Sequence, residues 1–289
     1  MRIPRLFGQG KPVFSFEFFL PKDPAQDAEF KSTVRQLKTL EPSFVTITYG
    51  AGGSVRGRTI EMAGALKNEL GIETAAHLTC IAHTKAEIAE NLKKIKSLGI
   101  ENIVALRGDQ PKDGSGLPIE KRDYKYATDL VKEIRASDGF AIGVAGYPEV
   151  HPEAPNAATD LKHLKEKVDA GADWIITQLF FDNAHYFRFV DTCRGAGITL
   201  PILPGIMPVT NYQQLQRFSQ MIGAEVSEAM HKELAAIQDD KDAVVRWGID
   251  YALKQCRELL DKNVPGIHFY TLNKSHSTEN ILRQLKKSL

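Results

Sequence analysis

Residues 74–109 read TAAHLTCIAHTKAEIAENLKKIKSLGIENIVALRGD, and this stretch decides the architecture. Its opening, 74–80, is a short run with apolar residues on both parities, the pattern of a strand buried on both faces. Thr84, with Glu87 three positions on, forms a capping box. Ile88, Leu92, Ile95 and Leu98 then recur at helical spacing. A second strand-like run, 102–108, closes the segment. Strand, helix and strand in this order make a βαβ unit with parallel strands.

The alternation extends in both directions. Strand-like runs occupy 13–19, 44–50, 74–80, 102–108, 140–147, 173–181, 201–207 and 266–272. Helical stripes separate them: Phe30, Val34 and Leu37 behind an Asp23-Pro24 start, then Leu161, Leu164 and Val168, then Tyr186, Phe189 and Cys193. The interval from about 211 to 264 has room for more than one helix. Eight such repeats in 289 residues predict an α/β fold, a (β/α)8 barrel forming one domain over 1–289. A doubly wound sheet is the competing arrangement and usually carries a glycine-rich phosphate turn. The nearest match, GAGGSV at 50–55, has Val55 where the third glycine belongs, and no GxxxxGK[ST] occurs.

Composition narrows the class of function. A net charge of +1 from 37 basic and 36 acidic residues leaves no electrostatic footprint for nucleic acid or an anionic membrane. The opening residues lack the apolar segment of a secretory signal, and no stretch approaches a membrane span, so a cytoplasmic location is expected. Cys80, Cys193 and Cys256 are too few and too scattered for a disulfide framework or a CxxC pair. A small-molecule enzyme is the expectation.

A barrel of this kind works at the C-terminal ends of its strands. Those ends carry Glu17, Thr48, Tyr49, His77, Arg107, Gly108, Asp109, Tyr147, His151, Gln178, Tyr270, Asn273 and Lys274. Glu17 lies inside FSFEFF at 14–19. Apolar surroundings penalise its charge, which predicts a raised pKa and a general-acid role, with a structural ion pair as the alternative. His77 is a hydrogen-bonding strand-end histidine or, with companions, a metal ligand. Glu149, His151 and Glu153 in YPEVHPE are too close in sequence to close a metal site unaided, and no metal is expected. Arg107-Gly108-Asp109 suits an anion close to the backbone. Asp160 and Lys167 share a helix face seven residues apart without touching.

Taken together, these segments resemble the methylenetetrahydrofolate reductase family. The matching motifs are FSFEFF (14–19), VTITYGA (45–51), AHLTC (76–80), NIVALRGD (102–109), YPEVHPEA (147–154), KVDAGAD (167–173), ITQLFFD (176–182), PILPGIMPV (201–209) and HFYTLNK (268–274). They run in order through the whole chain. The resemblance implies a barrel holding FAD at the C-terminal face. It implies a flavoprotein oxidoreductase that reduces 5,10-methylenetetrahydrofolate to 5-methyltetrahydrofolate. Hydride from NADH or NADPH would pass through FAD in a ping-pong sequence, supplying methyl groups for methionine synthesis.

By the same resemblance Glu17 is the proton donor, and Asp109 touches the pterin and tunes the flavin. Gln178, Gln214, Phe218 and Lys274 meet the substrate. FAD falls to Thr48, Tyr49, Ala51, His77, Arg107, Gly108, Asp109, Ala127, Tyr147, His151, Ala154, Asp160 and Lys167. His163 and Glu166 stand where familiar members carry Asn and Arg, and Lys274 stands where many carry Arg. The resemblance further implies a homo-oligomer, and it leaves room for a partner electron-transfer subunit.

Overall fold

At Thr84 the chain does what its local chemistry dictates. The Glu87 N–H donates to Thr84 Oγ1 at 3.2 Å, and the Thr84 N–H donates to Glu87 Oε2 at 2.7 Å. Helix α3 (Lys85–Ser97) follows and buries Ile88, Leu92 and Ile95. On either side lie β3 (Thr74–Thr79) and β4 (Asn102–Leu106), paired in parallel with His77 opposite Val104. The computed structural model describes residues 1–21, 23–49, 56–109 and 118–288. The glycine-rich stretch 50–55, which includes Ala51, lies outside them.

The remaining strands are β1 (Val13–Phe18), β2 (Phe44–Ile47), β5 (Ala141–Gly146), β6 (Trp174–Leu179), β7 (Ile202–Ile206) and β8 (Gly266–Tyr270). In sequence order they close a parallel barrel, with β8 against β1. All eight predicted strands form, and each ends before the predicted run does, where the chain turns towards the mouth. Helices α1 (Asp27–Lys38), α2 (Arg56–Asn68), α4 (Ala127–Ala136), α5 (Ala157–Asp169) and α6 (Asn183–Gly195) surround it. The long interval resolves into α7 (Tyr212–Ile222), α8 (Glu228–Ile237) and α9 (Lys241–Asp261), and α10 (Ser275–Lys286) ends the chain. Asp23 caps through the Ala25 N–H at 2.9 Å, but a short 3-10 turn intervenes before α1.

Three apolar clusters result. One lies between strands and helices, a second gathers Leu179, Met207, Leu215, Leu234 and Val244, and the third, the inner core, fills the barrel with Val13, Phe44, Ala75, Val104, Ala141, Trp174 and Leu203. Ile3 joins this inner core from the N-terminal turn, where its N–H donates to Asn102 Oδ1 at 2.8 Å. Gly143 makes room for the Trp174 indole: a Cβ there would stand 2.5 Å from the ring. Among the described residues no helix is long and apolar enough to cross a membrane. The three cysteines are buried and unpaired.

Candidate active site

The strands run in parallel, so their C-terminal ends share one mouth. Glu17 on β1 lies in register with Thr46 on β2 and Tyr270 on β8. Only 7% of it is exposed. One carboxylate oxygen, Oε2, collects the neighbours. Thr46 Oγ1 donates to it at 3.3 Å, and the Nε2 atoms of His268 and His77 each lie 3.4 Å away. His77 Nε2 is out of line for a hydrogen bond and has no other partner among the described residues. The second oxygen, Oε1, has no partner among the described residues, and it is not sealed from solvent.

This arrangement corrects the sequence-based expectation for Glu17. Burial does push its carboxyl upward, but His77, the His268 hydrogen bond and Thr46 push harder the other way. The net pKa lies below the ordinary carboxylate value. Apolar neighbours in sequence are not the neighbours in space: the phenylalanines at 14, 16 and 18 alternate away from Glu17 along the strand. Burial also lowers His77, against the pull of Glu17.

The backbone around Glu17 is pinned by the segment after β8. Thr271 Oγ1 donates to the Glu17 carbonyl at 2.7 Å. Asn273 clasps Phe19, accepting from its N–H at 2.9 Å and donating to its carbonyl at 2.6 Å. Leu272 and Asn273 adopt φ of 51° and 57° to reach these positions. Such left-handed backbone is costly for residues other than glycine and persists only where contacts enforce it. His268, Ser15, Thr46 and Thr271 were missed as site residues in the sequence reading. The one available signal was the period-two placement of Ser15 and Glu17 on the same face of β1.

A second group gathers around β4 and β5. Arg107 makes a two-pronged ion pair with Glu153 at 2.6 and 2.7 Å, which lowers the Glu153 carboxyl. Gly108 has φ of 88°, a left-handed conformation that suits glycine. Exposed Asp109 follows it. His151 packs edge-on against Tyr147 at 4.5 Å, and its N–H donates to Asp160 Oδ2 at 3.0 Å. Burial, then Arg107, lowers His151, and burial pushes the Tyr147 hydroxyl up to about 12. Lys167 on α5 turns inward, its Nζ donating to the Ala145 carbonyl at 2.6 Å. Burial brings its ammonium down to about 8, against the opposing pull of Asp160. Lys167 and Asp160 sense each other without an ion pair, as their spacing predicts.

The other sequence-selected residues are more dispersed. Thr48 and Tyr49 follow β2, and the Tyr49 hydroxyl lies 3.0 Å from His83 Nε2. Ala127 opens α4 beside exposed Tyr126, which stacks on His163. The Ala154 N–H donates to the His151 carbonyl at 2.8 Å. Glu166 faces Lys162 at 4.0 Å on the surface of α5. Gln178 is half-buried on β6, its Oε1 accepting from the Leu179 N–H. Gln214 and Phe218 are one turn apart on α7, and Phe218 packs on the outer cluster holding Leu179, Met207 and Leu215. Exposed Lys274 sits at the start of α10.

The cluster in YPEVHPE disperses. Glu153 goes to Arg107 and His151 to Asp160, while Glu149 meets His185 at 3.6 Å and accepts from the Glu225 N–H at 2.7 Å. His185 Nε2 also lies 3.3 Å from Glu225 Oε2. Arg188 Nη2 lies 2.8 Å from His185 Nδ1, so that nitrogen accepts and Nε2 carries the hydrogen. Nε2 therefore faces the two carboxylates as a donor, not as a bare ligand atom. The cysteines carry no reactive thiolate: the Cys80 thiol donates to the Arg107 carbonyl at 3.7 Å, and burial raises Cys80 to about 12 and Cys193 to about 11.

Comparison with known proteins places this geometry in a lineage. The methylenetetrahydrofolate reductase family model matches residues 2–286. The 5,10-methylenetetrahydrofolate reductase of Escherichia coli (strain K12) is 40% identical over 277 residues, covering 96% of this chain and 92% of that protein. Methylenetetrahydrofolate reductase (NADH) 1 of Arabidopsis thaliana is 40% identical over 295 residues, covering 98% of this chain, which spans 50% of the plant protein. A solved structure of an uncharacterized Clostridium thermocellum protein, described as binding two copies of 5-methyl-5,6,7,8-tetrahydrofolic acid, superimposes with a TM-score of 0.66 over the full length of both chains. At 11% identity that likeness speaks to the barrel alone. The chain belongs to the methylenetetrahydrofolate reductase family.

Proposed function

We propose that this protein reduces 5,10-methylenetetrahydrofolate to 5-methyltetrahydrofolate, with Glu17 as proton donor. The observation that carries the reading is the Glu17 carboxyl itself: buried at the barrel mouth, tethered through Oε2, with Oε1 free to meet a ligand. The folate's five-membered ring must open to a 5-iminium cation before hydride can arrive, and protonating the departing N10 favours that opening. N10 is a weakly basic aryl amine, so a strong acid suits it. Neighbours that depress Glu17 make it a stronger acid than an ordinary carboxyl. Substrate seated over Oε1 excludes water and adds to the upward force of burial, which loads the proton when it is needed.

FAD, when bound, would carry hydride between a nicotinamide donor and the folate. The Lys167 ammonium supports this cofactor: it is enclosed, has no carboxylate in ion-pair range among the described residues, and is depressed by burial that the pull of Asp160 does not offset. A pyrophosphate would supply a counter-charge. Arg107 lies in the same group and would reach it once the exposed Glu153 yields. Gly108, Tyr147, His151, Asp160, Thr48, Tyr49, Ala127, Ala154 and His77 would line the remainder. Asp109, Gln178, Gln214, Phe218 and Lys274 would meet folate and nicotinamide in turn. NADH is the favoured donor, following the names of the plant relatives.

The test is anaerobic spectroscopy of the protein loaded with FAD. NADH should bleach the flavin band, and methylenetetrahydrofolate should restore it. Glu17→Gln should bleach normally yet fail to recover. A protein that binds no FAD, or equal loss of both steps in Glu17→Gln, would sink the proposal. Bleaching that requires a second protein would point to a partner electron-transfer subunit.

A further inference from the structure

We infer that Ser15 and His268 are positioning residues for Glu17, holding its carboxyl so that the transferable proton resides on Oε1. The inference rests on the reading of Glu17 as the acid. Ser15 and Glu17 project to the same face of β1, and His268 on β8 is in register with Ser15. Ser15 and His268 are both fully buried. Ser15 Oγ lies 2.8 Å from His268 Nδ1, and His268 Nε2 lies 3.4 Å from Glu17 Oε2. Phe44 stacks on the imidazole at 6.5 Å, and Tyr270 meets it edge-on at 5.3 Å.

For a neutral imidazole facing the carboxylate, the hydrogen inventory leaves one arrangement. A carboxylate oxygen has no hydrogen to give, so the nitrogen facing it must carry one. With Nε2–H donating to Oε2, the neutral imidazole has a bare Nδ1, and the Ser15 hydroxyl donates to it. The serine thus fixes the tautomer, as an outer partner does for many functional histidines. Thr46 Oγ1–H donates to the same Oε2. A proton added to Oε2 would meet two donors already in place; a proton added to Oε1 meets none. Among the described residues, the titratable groups facing Glu17 are His77 from β3 and His268 and Tyr270 from β8. His77 is out of line for a hydrogen bond, and Tyr270 commits its hydroxyl to the Thr177 carbonyl at 2.8 Å. His268 is therefore the aligned titratable donor on the carboxyl.

The experiment follows folate reduction in single turnovers of the FAD-loaded protein across pH. A general acid is active when protonated, so the wild-type rate falls as pH rises through the pKa of Glu17. His268→Leu removes a donor from the carboxylate, and the descending limb should move up by about one pH unit or more. His268→Gln retains an N–H donor and should return the limb towards its wild-type place. Ser15→Ala should move it upward by less. Selective 15N-histidine labelling of the unmodified protein should show His268 protonated on Nε2 and bare on Nδ1. The opposite tautomer, or a limb unmoved in folded Ser15→Ala and His268→Leu, overturns the inference. If His268→Leu does not fold, the tautomer and Ser15→Ala decide. A limb that persists in Glu17→Gln at wild-type rate condemns instead the reading of Glu17 as the acid.

Discussion

Replacing Lys167 with methionine should make the protein more stable and worse at holding FAD. The residue is half-buried, and its ammonium donates to the Ala145 carbonyl. Its pKa falls from 10.5 to about 8 in the folded chain. At about 1.4 kcal/mol per pH unit, keeping the charged form folded costs about 3 kcal/mol at neutral pH. Methionine removes that cost and preserves most of the volume, but it leaves the Ala145 carbonyl without its donor, a loss of about 1 kcal/mol. The net expectation is a gain of about 2 kcal/mol at pH 7. The pH dependence provides the sharper check. Between pH 8 and 10.5 the unfolded wild type binds a proton that the folded form has released, so wild-type stability rises through that window. The advantage of Lys167→Met should therefore shrink from pH 8 upward, vanish at about pH 10 and reverse above it, where only the lost Ala145 hydrogen bond remains. Urea unfolding without added flavin, at pH 7 and at pH 9.5, measures both quantities, and flavin fluorescence quenching measures the weakened FAD affinity. A variant less stable at pH 7, or one whose advantage is flat with pH, would refute the reasoning.

Three further outcomes are expected. Gly143→Ala drives a methyl to 2.5 Å from the Trp174 indole inside the barrel, and a thermal melt should show a loss of about 1–3 kcal/mol. Glu153→Gln frees the Arg107 guanidinium from its two-pronged partner, and FAD titration should show a few-fold tighter binding; unchanged affinity would mean that the pair survives ligand binding. A thiol reagent at neutral pH should leave Cys80, Cys193 and Cys256 nearly untouched in the native protein and modify all three in denaturant, since each is at most 1% exposed.

The barrel was legible in the sequence because each unit is written locally. Capping at Thr84, the stripe of Ile88, Leu92 and Ile95, and two-sided apolar runs such as 102–108 depend on residues within a few positions of one another. Family membership was legible for a related reason: the motifs cluster at strand ends, where the fold concentrates its chemistry. Strand ends were less well read. Residues such as Thr48 and Arg107 continue the run in sequence but fall just past the regular strand, with the Thr48 N–H still donating to the Phe18 carbonyl, since regular pairing depends on the neighbouring strand and not on composition.

What the sequence by itself determined was the eight-fold alternation, the eight strands with several of the helices between them, and some of the polar residues near the mouth, Glu17 among them. What only the tertiary structure decided was whom each of them meets. Glu17 looked like a carboxyl raised by phenylalanines, yet its controlling partners are His77 and His268, the latter 251 positions away. Arg107 found Glu153 across 46 residues, and Glu149 left its neighbours in YPEVHPE for His185 and Glu225. Secondary structure follows from interactions along the chain and can be read there. An electrostatic environment is a sum over neighbours in space, and closing β8 against β1 is what brings those neighbours together.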